Sequence, residues 1–285
     1  MKIAKLVNAA GDVCVGQVKE DTIQILDLES AGFANLSALL SSEDVERNAA
    51  ELKPTGEPIP LATAELLPPI DQQEVWAAGV TYKRSQTARM EESEAAASCY
   101  DRVYNSARPE IFFKATPHRV RGANADLRIR EDATWNVPEP ELTLVLSASK
   151  KIVGYTVGND MSSRDIEGDN PLYLPQAKMY DQCCGLGPWI TLASAMPARD
   201  EIKIDLKIHR RGVVVFDQAT AVSEMARDLE DLVQWLGRDS SFPTGAFLLT
   251  GTGIVPDSDF TLNAGDQVDI TITGIGTLSN SIVQG

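Results

Sequence analysis

The first 70 residues carry short patterns of apolar and polar positions that predict a small α+β unit. Residues 1–28 alternate apolar and polar side chains and are interrupted at AAGD and KED, which predicts three short strands. Residues 36–52, LSALLSSEDVERNAAEL, are typical of a helix. The Pro- and Gly-rich stretch at 53–60, KPTGEPIP, is typical of a linker. We therefore expect a small N-terminal domain over 1–70 and a larger domain over 71–285.

The larger segment opens on a polar helix and continues as a series of strands. Residues 83–106 contain neither Gly nor Pro and are rich in good helix formers, which predicts a long helix. Strands are predicted at EIFFKA, LTLVLSA, KIVGYTVGND, IKIDLKIHRR, VVVFDQA, AFLLTGTG and DQVDITITGIG. One helix interrupts them in SEMARDLEDLVQWLG, with Ser223 as its predicted N-cap and Gly237 as its C-cap. Because strands and helices do not alternate, the pattern favours a mixed, β-dominated α+β fold over a Rossmann sheet or a (β/α)8 barrel.

Composition is that of a soluble globular protein and narrows the class of its partners. The 285 residues include 41 acidic and 26 basic side chains, a formal net charge of −15, which argues against binding a phosphate backbone. No run of about 18 apolar residues is present to span a membrane, and the N-terminal residues lack the apolar region of a secretory signal. We therefore expect a cytoplasmic protein with a small-molecule partner, and neither a nucleic-acid nor a membrane partner.

Cysteine and histidine are too few for several common kinds of site. The four cysteines form no CxxC pair, which excludes a zinc ribbon, and the adjacent Cys183 and Cys184 are interpreted as core residues. The two histidines are His118, in a predicted loop, and His209, on the surface of a predicted strand. A site of several histidines is therefore excluded, and no G-x-S-x-G elbow is present. Any chemistry must depend on carboxylates, lysine, hydroxyls or a hard metal ion.

The stretch TWNVPEPELTLVL places two glutamates where a strand enters an apolar core. Glu139 and Glu141 point to the same face, because they are two residues apart on an extended chain. The next strand, KIVGYTVGND, predicts a hairpin with a loop over Ser149–Ile152. That register places Asp160 opposite Glu141. We therefore expect three carboxylates on one face.

Three converging carboxylates without a nearby histidine or thiolate suit a hard cation such as Mg²⁺ or Mn²⁺. Such ions leave coordination positions open for water or substrate oxygens, which is typical of a reactive site. The alternative is a solvated strand edge at which water hydrates all three acids. Spacing alone leaves both interpretations open.

Ordered motifs over residues 76–188 resemble the fumarylacetoacetate hydrolase superfamily. They are WAAGVTYKRS, ARMEES, RPEIFFKA, NVPEPELTLVL, GYTVGNDMSSRDIEG, PLYLPQAKMYD and GLGP. The closing segment, LLTGTGIVP followed by LNAGDQVDITITGIGTLSN, resembles the C-terminal signature of the superfamily. GVTYKRS and ARMEES are similar to the branch that dehydrates 2-keto-3-deoxy sugar acids such as 2-keto-3-deoxy-D-arabinonate. The resemblance implies a β-roll with a small N-terminal domain, assembled as a homodimer or higher homo-oligomer.

The resemblance also implies metal ligands and substrate contacts. In the superfamily the E-x-E pair and the aspartate of a later ND dipeptide hold Mg²⁺; carried over, these ligands are Glu139, Glu141 and Asp160. Arg164 matches an arginine four residues past the aspartate, and Thr252 matches a turn that holds the substrate carboxylate. The superfamily's glutamine is Glu167 here, which leaves that contact in doubt. Lys114 is interpreted as a structural partner.

Two residues are candidates for catalysis and three for a lid over the site. Lys178 matches the lysine that follows the aspartate and would polarise the substrate or transfer a proton, unless it is a structural ion pair. Glu110, just before a strand, is the second catalytic candidate, with a surface acid as the alternative. Arg84, Ser85 and Arg89 would grip the substrate from the polar helix, unless that helix only presents a solvated face.

One departure from the superfamily bears on the reaction. Its hydrolases typically carry Y-x-x-H, whose histidine activates water, whereas Ser85 stands at that position here. A serine hydroxyl without histidine is a poor general base. We therefore expect Mg²⁺- or Mn²⁺-dependent dehydration of a 2-keto-3-deoxy sugar acid to a semialdehyde. Hydrolysis of a 2,4-diketo acid, decarboxylation of a short keto diacid and non-catalytic binding of a keto acid remain alternatives.

Overall fold

The computed structural model describes residues 1–85, 87 and 101–285, which fold mainly as β-strands. The first ten strands are β1 (Lys2–Val7), β2 (Val13–Lys19), β3 (Thr22–Leu26), β4 (Pro54–Pro60), β5 (Glu65–Leu67), β6 (Glu74–Gly79), β7 (Glu110–Ala115), β8 (Val120–Arg121), β9 (Asp126–Ile129) and β10 (Asn136–Val137). The others are β11 (Pro140–Leu146), β12 (Ile152–Asp160), β13 (Ser162–Ser163), β14 (Cys184–Leu192), β15 (Lys203–Arg210), β16 (Val213–Ala221), β17 (Ala246–Leu249), β18 (Gln267–Ile272) and β19 (Gly276–Gln284).

Helices are short in the described part of the chain. The α-helices with defined ends are α1 (Leu36–Leu40), α2 (Val45–Glu51), α3 (Arg164–Asp169), α4 (Leu174–Lys178) and α5 (Leu229–Leu236). Short 3-10 helices lie at Leu61–Thr63, Pro117–Arg119, Pro171–Tyr173, Ala193–Ala195, Arg199–Glu201 and Val222–Glu224. None of the described helices has the length and apolar character needed to cross a bilayer.

A twelve-stranded mixed sheet carries the acidic hairpin. Its strand order is β4-β3-β2-β1-β14-β12-β11-β17-β6-β7, with β5 beside β1 and β8 beside β14. β11 lies between β12 and β17, and all of its residues are buried, as expected for a strand covered on both faces. The N-terminal strands join the same sheet through the antiparallel pair of β1 with β14.

A five-stranded sheet, in the order β16-β15-β18-β19-β9, packs against the larger sheet. Buried and more exposed residues alternate along β15 and β18, so one face meets the core and the other meets water. Leu206, Ile270 and Leu278 of this sheet belong to the same apolar cluster as Leu144 and Leu186 of the larger one. Each such side chain stabilises the fold by about 1.5–3 kcal/mol when buried, so the shared core binds the two sheets together.

The N-terminal segment confirms the three predicted strands and corrects the elements after them. The single helix expected over 36–52 is wrong, because the side chain of Asp44 accepts from the Arg47 N–H and starts α2 as a separate helix. The linker expected over 53–60 is also wrong, since these residues form β4. β4 lies at the edge of the sheet, where prolines are tolerated.

Of the two helices predicted in the larger segment, the first is partly described and the second is fully described. Residues 83–85 and 101–105 are helical, and much of the segment between them lies outside the described residues. The predicted N-cap at Ser223 is wrong, because α5 begins at Asp228, whose side chain accepts from the N–H groups of Glu230 and Asp231. The C-cap at Gly237 is confirmed.

The predicted register of the β11–β12 hairpin is wrong by two residues. Glu141 pairs with Gly158, and the Asp160 N–H donates to the Glu139 carbonyl at 2.9 Å. The turn comes earlier than expected, because the Ser147 N–H already bonds the carbonyl of Lys151. A shift of two residues keeps every side chain on its original face. The expectation that the three acids share a face therefore survives the error.

Candidate metal centre

Three buried carboxylates meet at the open end of the β11–β12 hairpin. Glu139 directly precedes β11, Glu141 lies within it, and Asp160 is the last residue of β12. These residues are 4%, 1% and 1% exposed, and one carboxylate oxygen from each lies within 4.8 Å of the others. The solvated-edge interpretation is therefore wrong, and the negative charge must be balanced inside the protein.

Lys178, the last residue of α4, supplies one balancing charge. Its ammonium donates to Glu139 Oε2 at 2.8 Å, to Asp160 Oδ2 at 3.0 Å and to Ser162 Oγ at 2.6 Å. Lys178 is 1% exposed, so these partners replace its hydration. A single buried ammonium thus bridges two of the three acids.

Lys114, on β7, supplies a second positive charge, beside the Asp160 oxygen that Lys178 does not contact. Its Nζ lies 2.6 Å from Asp160 Oδ1 and donates to the carbonyls of Met161 at 2.9 Å and Lys178 at 2.6 Å. Burial is the largest single influence and lowers the pKa of Lys114, but the charge of Asp160, the neighbouring Cys183 and Cys184 and the hydrogen bond to Asp160 together raise this pKa above its ordinary value. Lys114 therefore stays charged and ties the end of β12 to the end of α4.

Arg164, the first residue of α3, supplies the third positive charge. One of its guanidinium nitrogens lies 2.8 Å from Glu139 Oε1, and the side chain is almost fully buried. Its backbone N–H donates to the Trp135 carbonyl at 2.7 Å, which fixes the start of α3 beside the chain that leads to Glu139. Glu139 is consequently held between two cations, Arg164 and Lys178.

Glu141 is held differently from the other two acids. In the described part of the chain it forms no ion pair, and its Oε2 accepts a 2.6 Å hydrogen bond from the Gly251 N–H. Burial, followed by the negative charges of Asp160 and Glu139, raises the pKa of Glu141 well above its ordinary value. The bare carboxylate is therefore disfavoured, and a bound proton or cation would stabilise it.

The donor set fits a hard divalent cation. All three groups offer carboxylate oxygen, the ligand that Mg²⁺ and Mn²⁺ prefer. A divalent ion beside Glu141 would offset the burial and the negative charges of Asp160 and Glu139 that raise its pKa. The residues present therefore fit Mg²⁺ or Mn²⁺.

A cavity opens onto the cluster, and most of the predicted site residues line it. They are Ser85, Glu110, Glu139, Glu141, Asp160, Arg164, Lys178 and Thr252. Arg84 is not among the described lining residues, because it lies 3.0 Å from Asp257 and its side chain is 43% exposed. Arg89 lies outside the described residues. The structure thus brings together all the predicted site residues except these two arginines.

Two hydroxyl groups of the cavity wall are engaged with nearby backbone. Ser85 Oγ donates to the Tyr82 carbonyl at 2.8 Å, so its proton is engaged with the backbone. Thr252 Oγ1 accepts from the Ile254 N–H at 3.1 Å and holds the turn after β17. Both residues shape the wall, and Ser85 shows no arrangement for activating water.

The histidines lie away from this cavity. His118 sits in the 3-10 helix Pro117–Arg119 and bonds Thr116, while His209 on β15 lies 3.2 Å from Asp269. Neither is among the described residues that line the cavity. Histidine-assisted activation of water at this site is therefore not provided by these two residues.

Sequence reasoning missed Ser162 and Gly79 and left the contact of Glu167 in doubt. Ser162 lies two residues beyond Asp160, so their shared face was a usable signal. Gly79 ends β6, where a glycine often marks the close approach of another group. Glu167 lines the cavity and is 3% exposed. The partner of Gly79 could not be inferred without knowing that β6 pairs with β7.

The chain is similar to two curated dehydratases. It is 47% identical over 258 residues to a probable 2-keto-3-deoxyxylonate dehydratase of Haloferax volcanii, a match that covers 90% of this chain and 89% of that protein. It is 45% identical over 213 residues to the 2-dehydro-3-deoxy-D-arabinonate dehydratase of Saccharolobus solfataricus, covering 74% of this chain and 72% of that protein.

Structure and family comparisons agree with these relatives. A solved 2-keto-3-deoxy-D-arabinonate dehydratase complexed with magnesium and 2,5-dioxopentanoate matches with a TM-score of 0.85 at 35% identity, over 100% of this chain and 99% of that one. The family model Rv2993c-like, N-terminal matches residues 1–69. The model Fumarylacetoacetate (FAA) hydrolase C-terminal matches residues 74–283. With the resemblance and the β-dominated fold both confirmed in this way, the chain belongs to the fumarylacetoacetate hydrolase family.

Proposed function

We propose that this protein is a Mg²⁺-dependent dehydratase of a 2-keto-3-deoxy sugar acid, such as 2-keto-3-deoxy-D-arabinonate. One observation carries the proposal: three buried carboxylates, Lys178 and Arg164 line a single cavity. Identities of 45% and 47% to dehydratases of such acids support the choice of substrate class. The 2,5-dioxopentanoate bound in the 35%-identical structure is the semialdehyde expected from a five-carbon substrate.

Glu139, Glu141 and Asp160 are proposed as the metal ligands. A bound Mg²⁺ or Mn²⁺ supplies Lewis acidity, which stabilises negative charge on the carboxylate and ketone oxygens of a keto acid by several kcal/mol. The protein's contribution is to keep the three acids together, through Lys178, Lys114 and the backbone of the hairpin. Because the three carboxylates already lie close together, they could bind a metal ion without a large rearrangement of the protein.

Dehydration removes one water from the substrate overall. A proton leaves C3 and the hydroxyl leaves C4, which gives an unsaturated keto acid. Two proton shifts within that product, from C5 to C3 and then from the C5 hydroxyl to C4, convert it to the semialdehyde. The protein must therefore provide one group that accepts the C3 proton and one that protonates the departing hydroxyl.

Lys178 is proposed to stabilise the negative charge that develops on the substrate and to donate a proton. Its ammonium is buried beside two acids and lines the cavity, so it is a donor fixed in place within a buried site. Its contacts with Glu139 and Asp160 also support the purely structural alternative. A kinetic effect of removing the ammonium separates the two roles.

Glu110 is proposed to accept the C3 proton. It is the first residue of β7, is partly buried and lies on the cavity wall that also carries Phe112. A carboxylate at this position faces the same space as the metal ligands without being one of the three clustered acids. This placement supports catalysis over the surface-acid alternative.

The substrate is proposed to contact Arg164, Ser85 and Thr252. Arg164 offers a guanidinium to an anionic or hydroxylated substrate, and the other two shape the wall near Gly251. Arg84 and Arg89 remain proposals from the sequence alone. Arg84 would have to leave Asp257 to reach a substrate.

Hydrolysis of a 2,4-diketo acid is the main rival. It needs an activated water, whereas Ser85 gives its proton to a backbone carbonyl and neither histidine lines the cavity. Decarboxylation of a keto diacid uses the same metal ligands and differs by release of carbon dioxide. Non-catalytic binding of a keto acid would not need Lys178 and Glu110 on the cavity wall.

The domain division, assembly and location are also proposals. Separate family matches to residues 1–69 and 74–283 support a boundary near residue 70. A homodimer or higher homo-oligomer is the assembly that the family resemblance implies. A cytoplasmic location is consistent with the absence of a membrane-spanning helix among the described residues.

The test is incubation of the metal-free protein with 2-keto-3-deoxy-D-arabinonate, with and without Mg²⁺, followed by NMR of the product. The proposal expects 2,5-dioxopentanoate only when Mg²⁺ is present. A parallel reaction in ¹⁸O-water with a 2,4-diketo acid tests hydrolysis, because hydrolysis places solvent oxygen in a new carboxylate. Turnover of the diketo acid without any turnover of the sugar acid would overturn the proposal.

A further inference from the structure

The end of β6 is shaped around the side chain of Glu110. Gly79, the last residue of β6, pairs directly with Glu110 across the antiparallel ladder. If Gly79 carried a Cβ, the three nearest atoms would all belong to Glu110: Cγ at 3.3 Å, Cδ at 2.7 Å and a carboxylate oxygen in direct collision. The Glu110 side chain therefore folds across the α-carbon of Gly79.

Space, and not backbone conformation, is what requires a glycine at position 79. Gly251, on another wall of the cavity, has a φ of +92°, which side chains rarely adopt. Gly79 is not among the residues of positive φ, so alanine can take its backbone conformation. The obstacle to alanine at this position is the Glu110 carboxylate.

The residue after Gly79 shows that this end of β6 is held in a special conformation. Val80 has a φ of +53°, an outlier for a β-branched residue, and it lines the same cavity. Such strain persists only where the surrounding structure enforces it. The strand end and the carboxylate folded over it therefore form one wall of the site.

We infer that Gly79 is a positioning residue that lets the Glu110 carboxylate lie in the cavity, and that it affects the reaction through Glu110 alone. The kinetic part of this inference rests on the proposed function. The colliding atoms are the far end of a flexible, partly buried side chain. An added methyl group would therefore displace the carboxylate while leaving the pairing of β6 with β7 intact.

A double-mutant cycle tests the inference with Gly79→Ala, Glu110→Ala and the double variant. We expect Gly79→Ala to lower kcat at least about tenfold, toward the loss caused by Glu110→Ala, which is on the order of 10²–10⁴ for a proton-transfer group. In the Glu110→Ala background the same alanine should change kcat and melting temperature little, because nothing remains to collide. A Gly79→Ala effect of equal size in both backgrounds would overturn the inference.

Two readouts separate this inference from the proposed function. Mn²⁺ affinity, measured by electron paramagnetic resonance, should stay within about twofold in Gly79→Ala, since the three clustered acids are untouched. A crystal structure of the variant should show the Glu110 carboxylate moved out of the cavity. If that carboxylate stays in place, the inference fails even if the wild type is a dehydratase. If the wild type does not turn over the sugar acid, the proposed function fails, and the crystal structure still decides the position of Glu110.

If Gly79→Ala does not fold, the double variant decides the matter. Removing the Glu110 side chain takes away the colliding atoms, so Gly79→Ala/Glu110→Ala should fold as well as Glu110→Ala. A double variant that also fails to fold would assign Gly79 a structural role unrelated to Glu110.

Discussion

Two buried carboxylate sites in this protein are built on opposite principles. Asp266, before β18 of the five-stranded sheet, is 1% exposed and receives two hydrogen bonds of 2.8 Å from Arg210 and one of 2.9 Å from the Asn263 N–H. In the larger sheet, three carboxylates crowd within 4.8 Å around shared cations, and Glu141 forms no ion pair among the described residues. Only the crowded site opens onto the cavity that holds the predicted catalytic residues.

The difference separates stability from function. A carboxylate matched by one guanidinium is satisfied without a ligand, so Asp266 is expected to stabilise the fold. Acids that repel one another in a buried place are less stable than a matched pair, and an added divalent cation would stabilise them. A mutation at each site should therefore move stability and activity in different directions.

The largest expected effect is that of Glu141→Gln. Turnover with Mg²⁺ should fall on the order of a thousandfold, because several kcal/mol of metal-dependent stabilisation are at stake and each 1.36 kcal/mol is a factor of ten. The stability of the metal-free variant should not fall, since the amide carries no charge to bury. Paired assays of kcat and urea unfolding check both halves, and full activity would exclude Glu141 from the metal site.

Replacing Lys178 with methionine should cost about 10²–10⁴ in kcat, the usual contribution of a positioned proton-transfer group. Methionine keeps most of the side-chain volume, so the effect reports the missing ammonium and not a cavity. Single-turnover kinetics would separate the chemical step from binding. A fall in kcat of less than tenfold would show that Lys178 has only a structural role, as an ion-pair partner.

The pH dependence of stability should distinguish wild type from Glu141→Gln when metal is absent. The folded-state pKa of Glu141 is raised above its unfolded value, mainly by burial. Its favourable contribution is therefore complete below an unfolded pKa of about 4.3 and is lost as pH rises through the folded pKa. In EDTA, the melting temperature of the wild type should fall relative to that of Glu141→Gln as the pH rises from acidic to neutral. A difference between the two that does not change with pH would contradict this account.

Asp266→Asn should have the smallest effect on catalysis and a clear effect on the fold. We expect a loss of about 1.5–3 kcal/mol in the free energy of unfolding, the range for hydrogen bonds to charged groups. The kcat with Mg²⁺ should be unchanged, because Asp266 is not among the described residues lining the cavity. Chemical denaturation beside a turnover assay checks the pair of outcomes. A lower kcat in a folded variant would show that the two sites are coupled.

Local pattern was enough to find the acidic face, and not enough to fix the hairpin. The turn between β11 and β12 comes earlier than expected, and a bulge between Val145 and Leu146 shifts the register. Glu139, Glu141 and Asp160 were still identified, because an even shift preserves the face of every side chain. The composition of 53–60 suggested a linker, since prolines there obscure an edge strand that only its pairing with β3 reveals.

The rest of the site depends on contacts between distant parts of the chain. Lys178 lies on a helix after the hairpin, and its position came from the family resemblance and not from periodicity. Gly79 meets Glu110 only because β6 pairs with β7. The ion pair of Arg84 with Asp257 joins residues far apart in sequence, so composition could not show where Arg84 points.

The most direct test of the account is anomalous diffraction from crystals soaked in Mn²⁺. The account predicts a single strong peak, coordinated by carboxylate oxygens of Glu139, Glu141 and Asp160 at about 2.0–2.3 Å, near the distances usual for such hard cations. No peak at saturating Mn²⁺, or a peak held by other residues while these three acids remain bonded only to the protein, would contradict it.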